Sequence, residues 1–242
     1  MFADNERKDV DPWWMIIKGI EGFNENRKNT VLPSFLKNFN ETMSAYRPRT
    51  TKRGNLPHLS QIKRKPEPLG TEFKTVADTS TTMFLHLEIQ RGKDPMKQQK
   101  YGNRFGATVA CSKRLAESTM REITDNDVGI NNMFIGDSWF ASVRTAVQVA
   151  PFGKFIGIVK TAHSFYPKKW IETKMKKWPA GSHIVLEGTK DGVDLLAIGY
   201  KYNKKKMICF IATKGSGNTE PGKPYESKWK DDFGATVMKL VQ

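Results

Sequence analysis

The chain has 242 residues, 38% hydrophobic and 27% charged, an ordinary composition for a folded protein that buries a real core. Forty Lys and Arg against 25 Asp and Glu give a net charge of +15 and a pI near 9.7, a field that favours polyanions, nucleic acid first and anionic membrane second. No apolar run approaches the ~20 residues that span a bilayer. The acid-bearing start at Met1 does not read as a secretory signal, and two cysteines without metal-ligand spacing, Cys111 and Cys209, point to a reducing compartment.

Residues 1–30 are polar around one apolar knot, Pro12-Trp13-Trp14, and read as an N-terminal arm. A strand entering the core is expected within 31–44. Residues 47–71 hold Pro48, Pro57, Pro66 and Pro68 among many basic side chains; proline at that density excludes a helix or a central strand and predicts a long basic loop. Phe73-Lys74-Thr75-Val76 and Phe84-Leu85-His86-Leu87-Glu88-Ile89 alternate as antiparallel strands around the turn Thr79-Ser80-Thr81. Val109, Leu115, Ala116 and Met120 are spaced for one face of a helix over 107–122. The apolar runs Met133-Phe134-Ile135 and Phe155-Ile156-Gly157-Ile158-Val159 flank a helix expected over 139–149, which makes a βαβ unit with parallel strands.

From residue 182 the texture becomes a three-stranded meander, with reversals at Asp191-Gly192 and Asn203-Lys204-Lys205. The stretch from Lys214 is rich in Gly, Pro, Ser and Lys and reads as exposed. The chain divides into an arm (1–30), a mixed α/β core (31–181), a β meander (182–213) and a tail (214–242).

Asp137 ends an apolar strand, follows Gly136 and precedes the expected helix. It is placed either to cap that helix or, if Ser138 caps instead, to hold a metal ion. Cleavage of a phosphodiester by two divalent ions about 3.5–4 Å apart needs several such carboxylates on neighbouring strands. Asp78 and Asp94 read as turn residues, Asp191 belongs to its hairpin, and His58, His86, His163 and His183 are too scattered for ligation or a catalytic dyad. A Gly-rich phosphate loop and a nucleophile elbow are both missing from the sequence.

The segment Asn40-Glu41-Thr42-Met43-Ser44-Ala45-Tyr46-Arg47-Pro48-Arg49 resembles the Asp-Glu-Ser-Met segment of piggyBac-type transposases, whose Asp is the first catalytic acid. Gly136-Asp137-Ser138-Trp139-Phe140-Ala141-Ser142 is similar to the segment that carries their second acid, and Lys160-Thr161-Ala162-His163 fits as well. The likeness covers roughly residues 10–235. It implies a ribonuclease-H-like mixed sheet with flanking helices and a β-rich insertion at the meander. It also implies the DDE superfamily of DNA transposition, Mg²⁺ or Mn²⁺ as cofactor, DNA as partner, and a homodimer.

The sequence departs from that pattern where the chemistry lies. Asn40 stands at the position of the first acid, and an amide is a poor substitute for a charged ligand. Glu41 is adjacent, but strand side chains alternate, so it should point to the other face. Only a one-residue register slip would turn it round. The third family acid and the Cys-rich zinc module have no counterpart up to Gln242, and Asp231 and Asp232 in the tail are not convincing substitutes. The resemblance therefore implies a transposable-element-derived, truncated catalytic domain that binds DNA without cutting it, with Asp137 as surviving acid and metal ligand and Asn40 as the degenerate position. The alternatives are a non-enzymatic nucleic-acid-binding protein that retains the fold, and a decayed reading frame.

Arg47, Arg49, Lys52, Arg53, Lys63, Arg64 and Lys65 on one loop are the expected DNA contacts. If about six phosphates are engaged, affinity should fall with salt at a log–log slope near −5; the competing reading is a solvated loop. Lys168, Lys169, Lys174, Lys176 and Lys177 make a second cluster on a helix interrupted by Pro179, while Lys204, Lys205 and Lys206 read as solubilising a turn. Trp170 and Trp178, eight residues apart, suit a packed helix face, with stacking on unpaired bases as the alternative. The expected compartment is the nucleus, otherwise the cytoplasm.

Overall fold

A computed structural model of the chain describes residues 13–45, 58–63, 66–120 and 132–215, and the backbone of 225–230 and 236–241. Its central strand is β1 (Leu36–Ala45). Alternate residues of β1 part company: Lys37, Phe39 and Glu41 are buried, whereas Asn40 and Ser44 are exposed. A two-residue strand, β2 (Ser60–Gln61), lies on the edge of β3 (Leu69–Asp78). β3 pairs antiparallel with β1, with Phe39 opposite Val76 and Glu41 opposite Lys74, and β4 (Phe84–Ile89) pairs antiparallel with β3. On the far side of β1, β5 (Met133–Gly136) and β6 (Lys154–Ile158) both run parallel to it.

The meander is continuous with this sheet. β9 (Met207–Thr213) pairs antiparallel with β6, β8 (Val193–Lys201) with β9, and β7 (His183–Lys190) with β8. The order from one edge is β2-β3-β1-β5-β6-β9-β8-β7, with β4 beside β2 against β3.

Within the stretch read as the N-terminal arm, α1 (Trp14–Thr30) lies on β4, where the Asn24 carboxamide donates to the Leu87 carbonyl at 3.0 Å and accepts its N–H at 2.9 Å. Two short helices, α2 (Lys93–Gln98) and α3 (Gly102–Phe105), lead into α4 (Ala107–Ser118). Further helices are α5 (Val143–Val149) and α6 (Lys168–Lys174). Leu115 and Ala116 of α4, Val143, Ala146 and Val147 of α5, and Ile171 of α6 pack with the inward strand residues Phe39, Val76, Phe134, Phe155, Ala197 and Ile211 as one continuous core. Each large apolar side chain buried there contributes about 1.5–3 kcal/mol. Four phenylalanines mark its centre, with Phe39 stacked on Phe134 at 5.2 Å and 5.5 Å and 6.3 Å from the rings of Phe140 and Phe155.

Two strands lie in the stretch read as a tail, β10 (Tyr225–Lys230) and β11 (Thr236–Val241), paired as an antiparallel hairpin. Among the described residues, no helix is long and apolar enough to cross a membrane.

Candidate functional site

Parallel pairing of β1 with β5 places Phe39 opposite Gly136. The next residues along the two strands are Asn40 and Asp137, so the sheet register brings together the two positions singled out in the sequence. Asn40 is exposed; its side-chain oxygen accepts the Glu41 N–H at 2.8 Å. Its main-chain carbonyl accepts the Thr75 hydroxyl at 3.3 Å.

Asp137 neither caps nor opens a helix. Its Oδ1 accepts the Trp139 N–H at 2.8 Å, and its carbonyl accepts the N–H groups of Phe140 (3.1 Å) and Ala141 (3.0 Å). A turn therefore occupies the stretch expected to begin the helix, and α5 starts only at Val143. Ser142 is its cap, with Oγ accepting the Thr145 N–H at 3.0 Å. Asp, Ser and Asn all form such side-chain-to-backbone turns, so local sequence does not separate the two capping points. The expectation of a helix over 139–149, capped by Asp137 or Ser138, is corrected accordingly.

The turn can lie against the sheet because glycine occupies both strand positions beneath it. A Cβ on Gly136 would stand 3.0 Å from Phe140 Cβ, and one on its register partner Gly157 would stand 2.7 Å from Ala141 Cβ. Real Cβ atoms essentially never approach within the second of these distances. The glycines thus let Phe140 and Ala141 pack onto the sheet, which fixes where Asp137 leaves β5.

Glu41 faces the opposite side of β1 from Asn40 and is 5% exposed. The ammonium of Lys74, itself 2% exposed, lies 2.8 Å from Glu41 Oε1 and 2.5 Å from Glu72 Oε1. Above it sits the Trp139 ring, its centroid 3.4 Å from Lys74 Nζ. Lys74 and Trp139 were not singled out in the sequence as site residues. The alternation of β3 could have shown Lys74 to be inward-facing, but not what it meets.

Among the described residues, neither Asp137 nor Glu41 is grouped with further acids as a pair of divalent ions requires. Among the described residues, no group of three or more His, Cys, Asp and Glu side chains could hold a metal ion. Asp137 turns one oxygen to the backbone, Asn40 brings no charge, and Glu41 is engaged by Lys74 on the other face.

Of the expected DNA contacts, Lys63 is exposed on a turn, and Arg47, Arg49, Lys52, Arg53, Arg64 and Lys65 lie outside the described residues. Trp178 is partly buried against the core, but Trp170, read as core, is 50% exposed, since Ile171 and Met175 supply the inward face of α6 and its continuation.

No protein-family model matches the sequence, and no curated protein matches it. The structure is similar to that of piggyBac transposase in a synaptic complex with hairpin DNA, determined by cryo-EM. The TM-score is 0.69 at 16% sequence identity, over 90% of this chain. The fold is ribonuclease-H-like, a mixed sheet with flanking helices and a β-rich insertion. The match covers 41% of the transposase chain's own length.

Proposed function

We propose that this chain is a transposase-derived protein of piggyBac type that binds DNA and does not cut it. The register of Phe39 with Gly136 carries this reading, because it sets Asn40, in the middle of β1, beside Asp137, just past the end of β5. One carboxylate and one amide do not make the anionic cradle that two-metal cleavage requires. Glu41, the acid adjacent to Asn40 in sequence, is buried against Lys74 on the far face. A net charge of +15 supports DNA as the partner, and the structural counterpart was captured with hairpin DNA. The proposed compartment is the nucleus.

The test pairs binding with cleavage. A labelled duplex should be bound at low salt and released as salt rises, while supercoiled plasmid stays intact with Mg²⁺ or Mn²⁺. Metal-dependent nicking that disappears in Asp137→Ala would overturn the loss of cleavage. Undetectable duplex binding at low salt would overturn the DNA-binding half.

A further inference from the structure

The β8–β9 turn and the C-terminal end of α6 enclose a cleft of about 880 Å³ lined by Glu172, Lys176, Lys201, Lys204, Lys205 and Lys206. Five of these side chains are lysines, and the one carboxylate is already approached by Lys168 at 3.5 Å. Lys201 is only 5% exposed; its ammonium donates to the Lys176 carbonyl at 3.2 Å and, among the described residues, forms no ion pair. An ammonium has three donors, and burying its charge without a counter-ion is unfavourable. An anion in the cleft would relieve that cost.

The rim is held in shape. Asn203 Oδ1 accepts the N–H groups of Lys205 (2.9 Å) and Lys206 (2.7 Å), and the Asn203 N–H donates to the Lys206 carbonyl at 3.2 Å. Lys206 also lies 5.2 Å from the ring of the exposed Tyr202. Three consecutive lysines are thus presented by a braced turn, opposite Lys176 on another element. In sequence Lys176 stands 25 residues before Lys201, and the turn lysines read as solubilising.

We infer that this cleft binds the phosphodiester backbone of duplex DNA, as a second contact surface apart from the basic residues of 47–65. The inference rests on the DNA-binding reading above. Lysine acts as a point charge without the fork of arginine, so these contacts position a duplex without reading its sequence.

Fluorescence anisotropy with a labelled duplex of arbitrary sequence, over a salt series, tests it on the full chain. The combined variant Lys204→Ala, Lys205→Ala, Lys206→Ala should bind at least about tenfold more weakly near 0.1 M salt, with a log–log salt slope smaller by roughly 2–3. Its thermal melt should be unchanged, because all three side chains are exposed. Lys201→Met, which keeps the buried stem and removes the charge, should also weaken binding. Wild-type affinity and slope in both variants would overturn the cleft, and if binding were lost only in Arg47→Ala with Arg49→Ala, the proposed function would still stand. No binding by the unmodified chain would overturn that function itself.

Discussion

Lys74 and Trp139 meet across the central strand: the ammonium of Lys74 on β3 lies 3.4 Å from the centroid of the Trp139 ring, in the turn after β5. Between them in the sheet runs β1, which contributes Glu41 to the same ammonium at 2.8 Å. The contact ties the strand end that carries Asp137 to the neighbouring hairpin. It also holds the Glu41 carboxylate on the face of β1 away from Asn40.

Removing one partner of a buried ion pair leaves an uncompensated charge. Lys74→Met removes the ammonium that Glu41 and Glu72 share and should destabilise the protein by about 3–5 kcal/mol, whereas Lys74→Met combined with Glu41→Leu should recover only part of the loss, because Glu72 keeps its charge. Urea unfolding of the two variants measures the difference. A loss below about 1 kcal/mol in Lys74→Met would mean that the pair contributes little.

The turn at Asp137 separates a structural role from a ligand role. Asp137→Asn keeps an oxygen for the Trp139 N–H and should unfold at nearly the wild-type denaturant concentration. Asp137→Ala should lose about 1 kcal/mol, the usual consequence of deleting a side-chain-to-backbone bond. Equal stability of Asn and Ala variants would show that the bond is not formed.

Asn40→Asp restores an acid at an exposed position and should leave the melting temperature within a few degrees of wild type. Calorimetric titration with Mn²⁺ should show no saturable binding to the wild-type chain and binding to Asn40→Asp that vanishes when Asp137→Ala is added. Binding by the wild-type chain that requires Asp137 would show that the site still holds metal.

His86 lines the groove between α1 and β4, and burial pushes its imidazole down to about 4; Glu88 opposes the shift while Arg27 and Arg114 add to it. An unfolded histidine titrates near 6.5, so between about 6.5 and 4 the unfolded chain binds a proton that the folded chain does not. Stability from this group is fully present above about 6.5 and is lost as pH falls, by about 3 kcal/mol in all. Comparing urea unfolding of wild type and His86→Phe at pH 7 and pH 4.5 isolates the effect. The wild type should lose more stability than the variant, and parallel losses would exclude His86 as the source.

Local chemistry alone determined a good deal of this protein. Alternation marked β3 and β4, Asp191-Gly192 marked the β7–β8 reversal, and helix spacing marked α4, because each signal lies within a few residues of the element it specifies. Asn40 and Asp137 were singled out differently, through short segments that resemble those of a transposase family. Tertiary structure alone decided what those positions became. Whether Asp137 capped a helix depended on how the following turn packed over Gly136 and Gly157, two strands brought together from distant sequence. Glu41 and Lys74 are 33 residues apart, and only the β1–β3 register makes their burial tolerable by pairing them. Lys176 and the lysines of the β8–β9 turn likewise share a cleft only because α6 packs beside that turn. Charge, hydrophobic period and turn residues are properties of short segments, whereas the partner that makes a buried charge stable comes from another strand and is fixed by the packing of the whole sheet.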